Sequence, residues 1–486
     1  MKILNNVKLN SFSKEYTNRF DYNYISYLIT NNENKNEKVS LLDISKVIEP
    51  DSINIEELGE FKYCQISDVD SDGFTYPVII DFENQRPELS DYYKKIEKGD
   101  IFKPQKGDVL ISKIRPYLKE IVYIDDSNED IYFTKAFILL RPLIDSRLFY
   151  GCIRSSIFKD LNSISRTGKG YPTLNPKDLA YVFLDRESID KLNKSNNSGQ
   201  ISAELIKSDA EIKKLLSNKK DDSAIINDAI IKYFGYNINK FNSLNNKKIY
   251  TAKFNQFGNN IDCRFSSKFH RPAGEFVYNE IISKPYYLLK EVVEIPIITG
   301  QGISDEFDEN GDYYYISMAD ISKWEIDYDN LKSVENNYSN SHLSKKVKGI
   351  SDPVSTIVEK NDVLMMRSGE GGIGKVAISD EDVNAIFCDF IIRFRFNKDL
   401  INPKFAYYYF RSQYFQYMIE INKKGLGNNT NIFPNNLQDF PIPNISIEEQ
   451  KGIVYEIDKE LKQQREIINS IETIMKRMDR LICSFI

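Results

Sequence analysis

Tyr63-Cys64-Gln65-Ile66-Ser67-Asp68-Val69-Asp70 returns later in the chain as Tyr313-Tyr314-Tyr315-Ile316-Ser317-Met318-Ala319-Asp320. Four further matches follow in the same order. Lys106-Gly107-Asp108-Val109-Leu110 answers to Lys360-Asn361-Asp362-Val363-Leu364, and Arg154-Ser155-Ser156-Ile157-Phe158 to Arg411-Ser412-Gln413-Tyr414-Phe415. Gly168-Lys169-Gly170 answers to Gly425-Leu426-Gly427, and Pro176 with Leu179 to Pro434 with Leu437. A weaker match pairs Phe20 to Tyr24 with Ile261 to Phe265. The separation drifts slowly upward, as small loop insertions in a duplicated plan produce. Internal self-similarity on this scale decides architecture before any short motif does. It predicts two similar globular halves, 1–185 and 241–445.

The segments after each half read as helices. Ile457, Leu461, Gln464, Ile468, Ile471, Met475, Met478 and Ile482 alternate steps of four and three, which is a coiled-coil seam. Ser446 and Glu449 have capping-box spacing, so the segment 446–486 is predicted to be helical, with a helix over 446–484 about 58 Å long at ~1.5 Å per residue. In 186–240 the same stepping picks out Ile201, Leu205, Ser208, Ile212, Leu215, Lys219, Asp222, Ile226, Ala229 and Tyr233. Lys219-Lys220-Asp221-Asp222 interrupts this second seam, and Gly235 suits its end. The two seams are expected to pair, the alternative being that each docks on its own half. Within the halves, β-like runs (108–112, 391–396) and a helical patch (404–419) mix without regular alternation, so the class is α+β.

The chain has 486 residues, 41% hydrophobic and 28% charged, enough to bury sizeable cores. Lys and Arg number 65 against 71 Asp and Glu, a net charge of −6. The five cysteines are isolated and only two histidines are present, which leaves little material for a zinc ribbon, a disulfide framework or a Ser-His-Asp triad. No apolar run has signal-peptide or membrane-helix character, and the expected location is cytoplasmic.

Gly369-Glu370-Gly371-Gly372-Ile373-Gly374-Lys375 fits G-x-G-x-x-G and nearly fits a phosphate loop, but Val376 stands where the metal-binding hydroxyl belongs. A strand-like run follows where a helix N-terminus is needed. A nucleotide-binding enzyme is therefore the lesser alternative, alongside a coiled-coil adaptor. No methyltransferase element occurs, so no catalytic or metal-binding residue is assigned. Basic charge, in contrast, recurs at matching places in the halves, in 103–119, 154–177, 363–377 and 411–424. These tips suit DNA. Lys113, Lys169, Lys375, Lys423 and Lys424 are candidate phosphate contacts. Arg115, Arg166, Arg367, Thr167, Thr430, Ser368, Asn428 and Asn429 are candidate base or backbone readers, and Tyr171 is a stacking ring.

The duplicated strands at 106–110 and 360–364, the segments Arg166 to Leu179 and Lys424 to Leu437, the Phe440-Pro441-Ile442-Pro443 exit and Glu449-Gln450 together resemble the specificity (S) subunit of type I restriction-modification systems. The resemblance covers essentially the whole chain and rests on duplicated order rather than on one motif. It implies two target-recognition domains separated by two long antiparallel helices with pseudo-two-fold symmetry. Each domain is implied to read half of a bipartite double-stranded DNA target. The helices, with Leu205, Ile212, Leu215, Ile226, Ile457, Leu461, Ile468, Ile471, Met475 and Met478 on the seam, are implied to dock two methyltransferase (M) subunits. Those partners carry S-adenosylmethionine and the chemistry; this chain needs no cofactor of its own. Restriction (R) endonuclease subunits are the further partner the resemblance admits. The first helix departs from the pattern in lacking a Glu-Gln start.

Overall fold

The computed structural model describes residues 24, 27, 38–154, 158–167, 171–187, 189–190, 198–247, 249–252, 266–303, 307–308, 310–369, 372–425 and 430–483. They pack as two units, Met1–Asn218 with Ile467–Ile486, and Lys219–Glu466. Among the described residues no helix is long and apolar enough to cross a membrane.

In the first unit, β1 (Ser45–Ile48), β4 (Val109–Ser112), β5 (Ile121–Tyr123) and β7 (Phe137–Pro142) form a sheet in the order β1-β7-β4-β5, antiparallel throughout. A second sheet sets β2 (Phe61–Cys64) between β3 (Val78–Ile80), antiparallel, and β6 (Ile131–Phe133), parallel. All four residues of β4 are buried. Val109 and Ile111 face helical residues such as Leu148, Phe149 and Leu161, while Leu110 faces Cys64 and Phe133. Burial on both faces explains why this strand reads as an unbroken apolar run.

The second unit has the same plan. β10 (Ile298–Thr299), β16 (Val363–Met366), β17 (Val376–Ile378) and β19 (Ile391–Phe394) lie in the order β10-β19-β16-β17. In the other sheet β11 (Tyr313–Ile316) lies between β14 (Lys332–Val334), antiparallel, and β18 (Ala385–Phe387), parallel, with β15 (Ile357–Val358) beyond. Val363 and Met365 pack on Phe405 and Tyr409, and Leu364 on Ile316 and Phe387.

The repeated Lys-Gly/Asn-Asp-Val-Leu sequences are explained by their aspartates. Asp108 takes Arg141 as a fork, Nε at 2.8 Å and Nη2 at 3.0 Å, and its Oδ2 also accepts from the Gln105 amide at 2.8 Å. Asp362 takes Arg395 at 2.8 and 2.8 Å and accepts from the Glu359 amide at 2.8 Å. Each aspartate is 1% exposed. The preceding residue is left-handed in both, Gly107 at φ 89° and Asn361 at φ 77°, a conformation those two residue types accept most readily. The other repeated motif is a strand exit. Asp68 Oδ2 accepts from the Gln65 amide and Asp320 Oδ2 from the Ser317 amide, each at 2.8 Å, closing a single 3-10 turn.

Helix α1 (Ser146–Cys152) covers the first sheet. The central helical region is two helices, α2 (Ser198–Ser217) and α3 (Asp222–Phe234). The charges at 219–222 do break it: Asp221 caps α3 by accepting from the Ser223 and Ala224 amides at 2.8 and 3.1 Å, and Gly235 ends it at φ 62°. The predicted 404–419 patch is also two helices, α4 (Pro403–Arg411) and α5 (Gln413–Asn422), divided at Ser412, whose Oγ caps α5. The last helix, α6, runs Ile447–Cys483. Its capping box is formed: Glu449 N donates to Ser446 Oγ at 3.2 Å, and Ser446 N to Glu449 Oε2 at 2.9 Å.

Packing divides the chain differently from the four segments that periodicity suggests. Ile201 and Leu205 of α2 belong to the core under α1, and Ile453, Ile457 and Leu461 of α6 to the core under α4 and α5. Within the first unit Ile212 of α2 meets Ile471 and Ile474 of α6, with Leu215, Met475 and Met478 partly buried beside them. Arg477 Nη2 donates to Ser208 Oγ at 3.0 Å, so partners on α6 fall in number as those on α2 rise, an antiparallel contact. Within the second unit Ile226 is fully buried, and Gln464 Oε1 accepts from the Lys220 amide at 2.8 Å. Ile468, expected on the seam, is 39% exposed. Ile467 takes the inner place instead, a choice apolarity alone could not make between two adjacent isoleucines.

Each unit also clamps a hairpin tip with a Tyr–Arg pair one helical turn apart. Arg154 Nη1 bonds Tyr150 Oη at 3.0 Å and the Asp72 carbonyl, and the neighbouring Phe74 joins the α2–α6 cluster. In the second unit Arg411 Nη1 bonds Tyr407 Oη at 2.7 Å, and Tyr407 Oη donates to the Trp324 carbonyl at 2.9 Å. Arg411 lies over the Trp324 ring, 5.1 Å from its centroid. Trp324 and Lys323 form the turn between β12 (Ile321–Ser322) and β13 (Glu325–Ile326), both with positive φ.

Candidate nucleic-acid interface

In both units the strand that begins with the repeated aspartate ends in a basic loop, and a second basic segment from far along the chain is bonded to that loop. In the first unit β4 runs out at Ser112. The Leu174 amide donates to the Lys113 carbonyl at 2.7 Å, and the Arg115 amide to the Pro172 carbonyl at 2.9 Å. The partner segment is a hairpin of β8 (Arg166–Thr167) and β9 (Pro172–Thr173). In the second unit β16 runs out at Met366. The Ile432 amide donates to the Arg367 carbonyl at 2.9 Å, and Asn431 bridges to both Ser368 and Lys424. The two Lys424–Asn431 backbone bonds are 2.7 Å each.

The predicted residues meet at these loops but play unlike parts. Arg115 is exposed and lies over the Tyr171 ring at 5.0 Å, with Tyr171 45% exposed. Arg115 and Lys119 are both left-handed, φ 50° and 61°, around a 3-10 turn at Pro116–Leu118 that carries Tyr117 and Leu118 outward. Lys113 turns back, its Nζ donating to the Lys135 carbonyl at 2.6 Å. Burial lowers its pKa below the usual lysine range, against the opposing charge of Asp100. Arg166, expected to read bases, forks onto Asp178 at 2.9 and 3.0 Å, and that carboxylate is fully buried. Thr167 is described through its backbone alone, in β8; Lys169 lies outside the described residues.

In the second unit Arg367 is held from several sides. Its Nε donates to the Asp389 carbonyl at 2.5 Å and its Nη1 to Asn431 Oδ1 at 3.4 Å. The rings of Phe390 and Phe433 each lie 5.5 Å from its guanidinium carbon. Ser368 is buried, its hydroxyl 3.6 Å from Met318 Sδ. Lys423 pairs with Glu420 at 2.5 Å, and that pairing holds the Glu420 carboxyl below its ordinary pKa despite burial. Lys375 and Thr430 are half-buried beside the loop, and Asn428 and Asn429 lie outside the described residues.

The glycine run resolves as a hairpin tip. Gly369 and Gly374 are left-handed, and after the 372–374 turn the chain enters β17 antiparallel to β16. Helix-terminal amides are what a phosphate loop requires, and the strand stands in their place. Among the described residues no group of three His, Cys, Asp or Glu is placed to hold a metal ion. Sequence reading passed over Phe390 and Phe433, the rings that hold Arg367. It also passed over Lys345, whose Nζ donates to Thr299 Oγ1 at 2.8 Å and whose pKa burial lowers. Lys345-Lys346 reads as a solvated pair, and only the fold turns one of them inward.

Residues 285–473 match the profile of the family described as type I restriction modification DNA specificity domain. No curated protein sequence matches the chain. Three solved structures are similar to it. One was solved for complex assembly and conformational transition of the type I R-M system, at 15% identity, with 92% of this chain and 96% of that chain covered and a TM-score of 0.44. The HsdS subunit from Thermoanaerobacter tengcongensis is 15% identical, covering 92% and 94%, with a TM-score of 0.30. The type I restriction-modification S subunit from M. genitalium is 12% identical, covering 92% and 95%, with a TM-score of 0.42.

Proposed function

We propose that this chain, whose residues 285–473 match the family described as type I restriction modification DNA specificity domain, is the sequence-reading subunit of such a system. Each unit reads one half of a bipartite double-stranded DNA target through its paired basic loops. The observation that carries this reading is the joining of two distant basic segments at the same edge of matching sheets, by the Arg115–Pro172 bond in one unit and the Arg367–Ile432 bond in the other. Lysine at such loops positions the phosphate backbone, while arginine and amide side chains not engaged internally read base edges. The helices α2, α3 and α6 act as spacer and as the dock for two methyltransferase subunits. Those subunits bring S-adenosylmethionine and the catalysis, and restriction subunits join the same assembly in the cytoplasm.

The test is to express the methyltransferase partner in cells with and without this chain and to sequence the methylated DNA. Methylation at a split motif is expected only when the chain is present. The same methylation without it overturns the reading.

A further inference from the structure

Of the arginines in the two loop clusters, Arg166 is spent on Asp178 and Arg367 on Asp389 and Asn431. Arg115 differs. Among the described residues no carboxylate lies within ion-pair distance of it, though its charge is felt by the buried Glu120 and holds that carboxyl's raised pKa in check. Its side chain is exposed, with the guanidinium carbon 5.0 Å from the Tyr171 ring centroid. Its backbone is held in a conformation that an arginine rarely adopts. Pro116 closes the right-handed helical region to the residue before it, and Arg115 sits at φ 50°, ψ 53°. Bonds from the Arg115 amide to the Pro172 carbonyl and from the Leu118 amide to the Arg115 carbonyl, each 2.9 Å, maintain it. Such strain persists only where its surroundings over-determine it, and it concentrates at binding sites.

A guanidinium held over a ring face by cation–π attraction keeps its planar, pre-organised N–H fork available to another acceptor. Two parallel donors on a fixed plane match the O6 and N7 acceptors of guanine in the major groove, the commonest specific arginine contact to DNA. Resting on the reading of this chain as a DNA-specificity subunit, we propose that Arg115, positioned by Tyr171, reads a guanine in the half-target of the first unit.

The test uses the full chain co-expressed with its methyltransferase partner, with methylated motifs sequenced for wild type, Arg115→Gly, Arg115→Lys, Tyr171→Leu and Tyr171→Phe. Glycine suits the left-handed backbone, so Arg115→Gly is expected to fold with an undiminished melting temperature. The wild-type motif is expected to carry a guanine in one half. Arg115→Gly and Arg115→Lys are each expected to lose about 10- to 100-fold discrimination at that one position, the other positions holding. Tyr171→Leu weakens the same discrimination and Tyr171→Phe restores it. If Arg115→Lys keeps the preference, the planar fork is not what reads the base and the proposal falls; if Arg115→Gly weakens binding without changing any base preference, Arg115 contacts phosphate and it falls outright. A wild-type chain that directs no methylation overturns the specificity-subunit reading instead.

Discussion

Asp108 and Asp362 show why a repeated sequence need not be a repeated reading head. Each is a buried carboxylate that organises a strand entrance by taking an arginine fork from the neighbouring strand. The motif that made the duplication visible is therefore architectural, and the strand exit beyond it carries the basic loop. The same distinction applies to Arg166. Sequence shows a cation beside glycines and a tyrosine; it does not show that Asp178, twelve residues on, will be buried and claim it. Arg166→Ala removes one partner from a buried carboxylate, the arginine itself being 39% exposed, and such losses cost about 1–3 kcal/mol. The expected result is a clear drop in the urea midpoint of the first unit. An unchanged midpoint with reduced DNA discrimination would instead give Arg166 a reading role. Arg115 was legible as a cation in the right loop; its left-handed backbone and its closeness to the Tyr171 ring became visible only once Pro172 was brought beside it.

Among the elements, the strands and the last helix were the most legible, because β4 and β16 are unbroken apolar runs and Ser446 with Glu449 has one capping solution. The break at 219–222 was legible too, since Asp221 is a strong N-cap. The phase of the seam was not. In α6 the adjacent pairs Ile467–Ile468 and Ile474–Met475 are apolar at both positions, so hydrophobicity leaves the inner face undetermined by one residue. Burial resolves it, with Ile471 at 7% and Ile474 at 6% exposed against 39% for Ile468. Ile471→Ala is therefore expected to cost about 2–5 kcal/mol as a core truncation, and Ile468→Ala about 0.5 kcal/mol or less as a surface change. Hydrogen exchange along α2 and α6 separates them: faster exchange in both helices for Ile471→Ala, and none for Ile468→Ala. Equal effects would return Ile468 to the seam.

For the whole molecule, the net charge of −6 is an average that hides its distribution. Several cations at the loops are neutralised internally, Arg166 by Asp178 and Lys423 by Glu420, whereas Arg115 is exposed. A chain of this balance is expected to grip DNA weakly by itself, because sequence-independent affinity scales with the phosphates neutralised. Under the proposed function, its contribution to an assembly is discrimination. The two units have matching sheet orders and matching Tyr–Arg clamps, and the proposed function makes each of them the reader of one half-target. The most direct measurement of that claim replaces residues 1–185 with the corresponding reader of another specificity subunit, co-expresses the hybrid with the methyltransferase partner, and sequences the methylated motif. One half of the bipartite target is predicted to change while the other half is retained; a motif unchanged throughout, or altered in both halves, would contradict it.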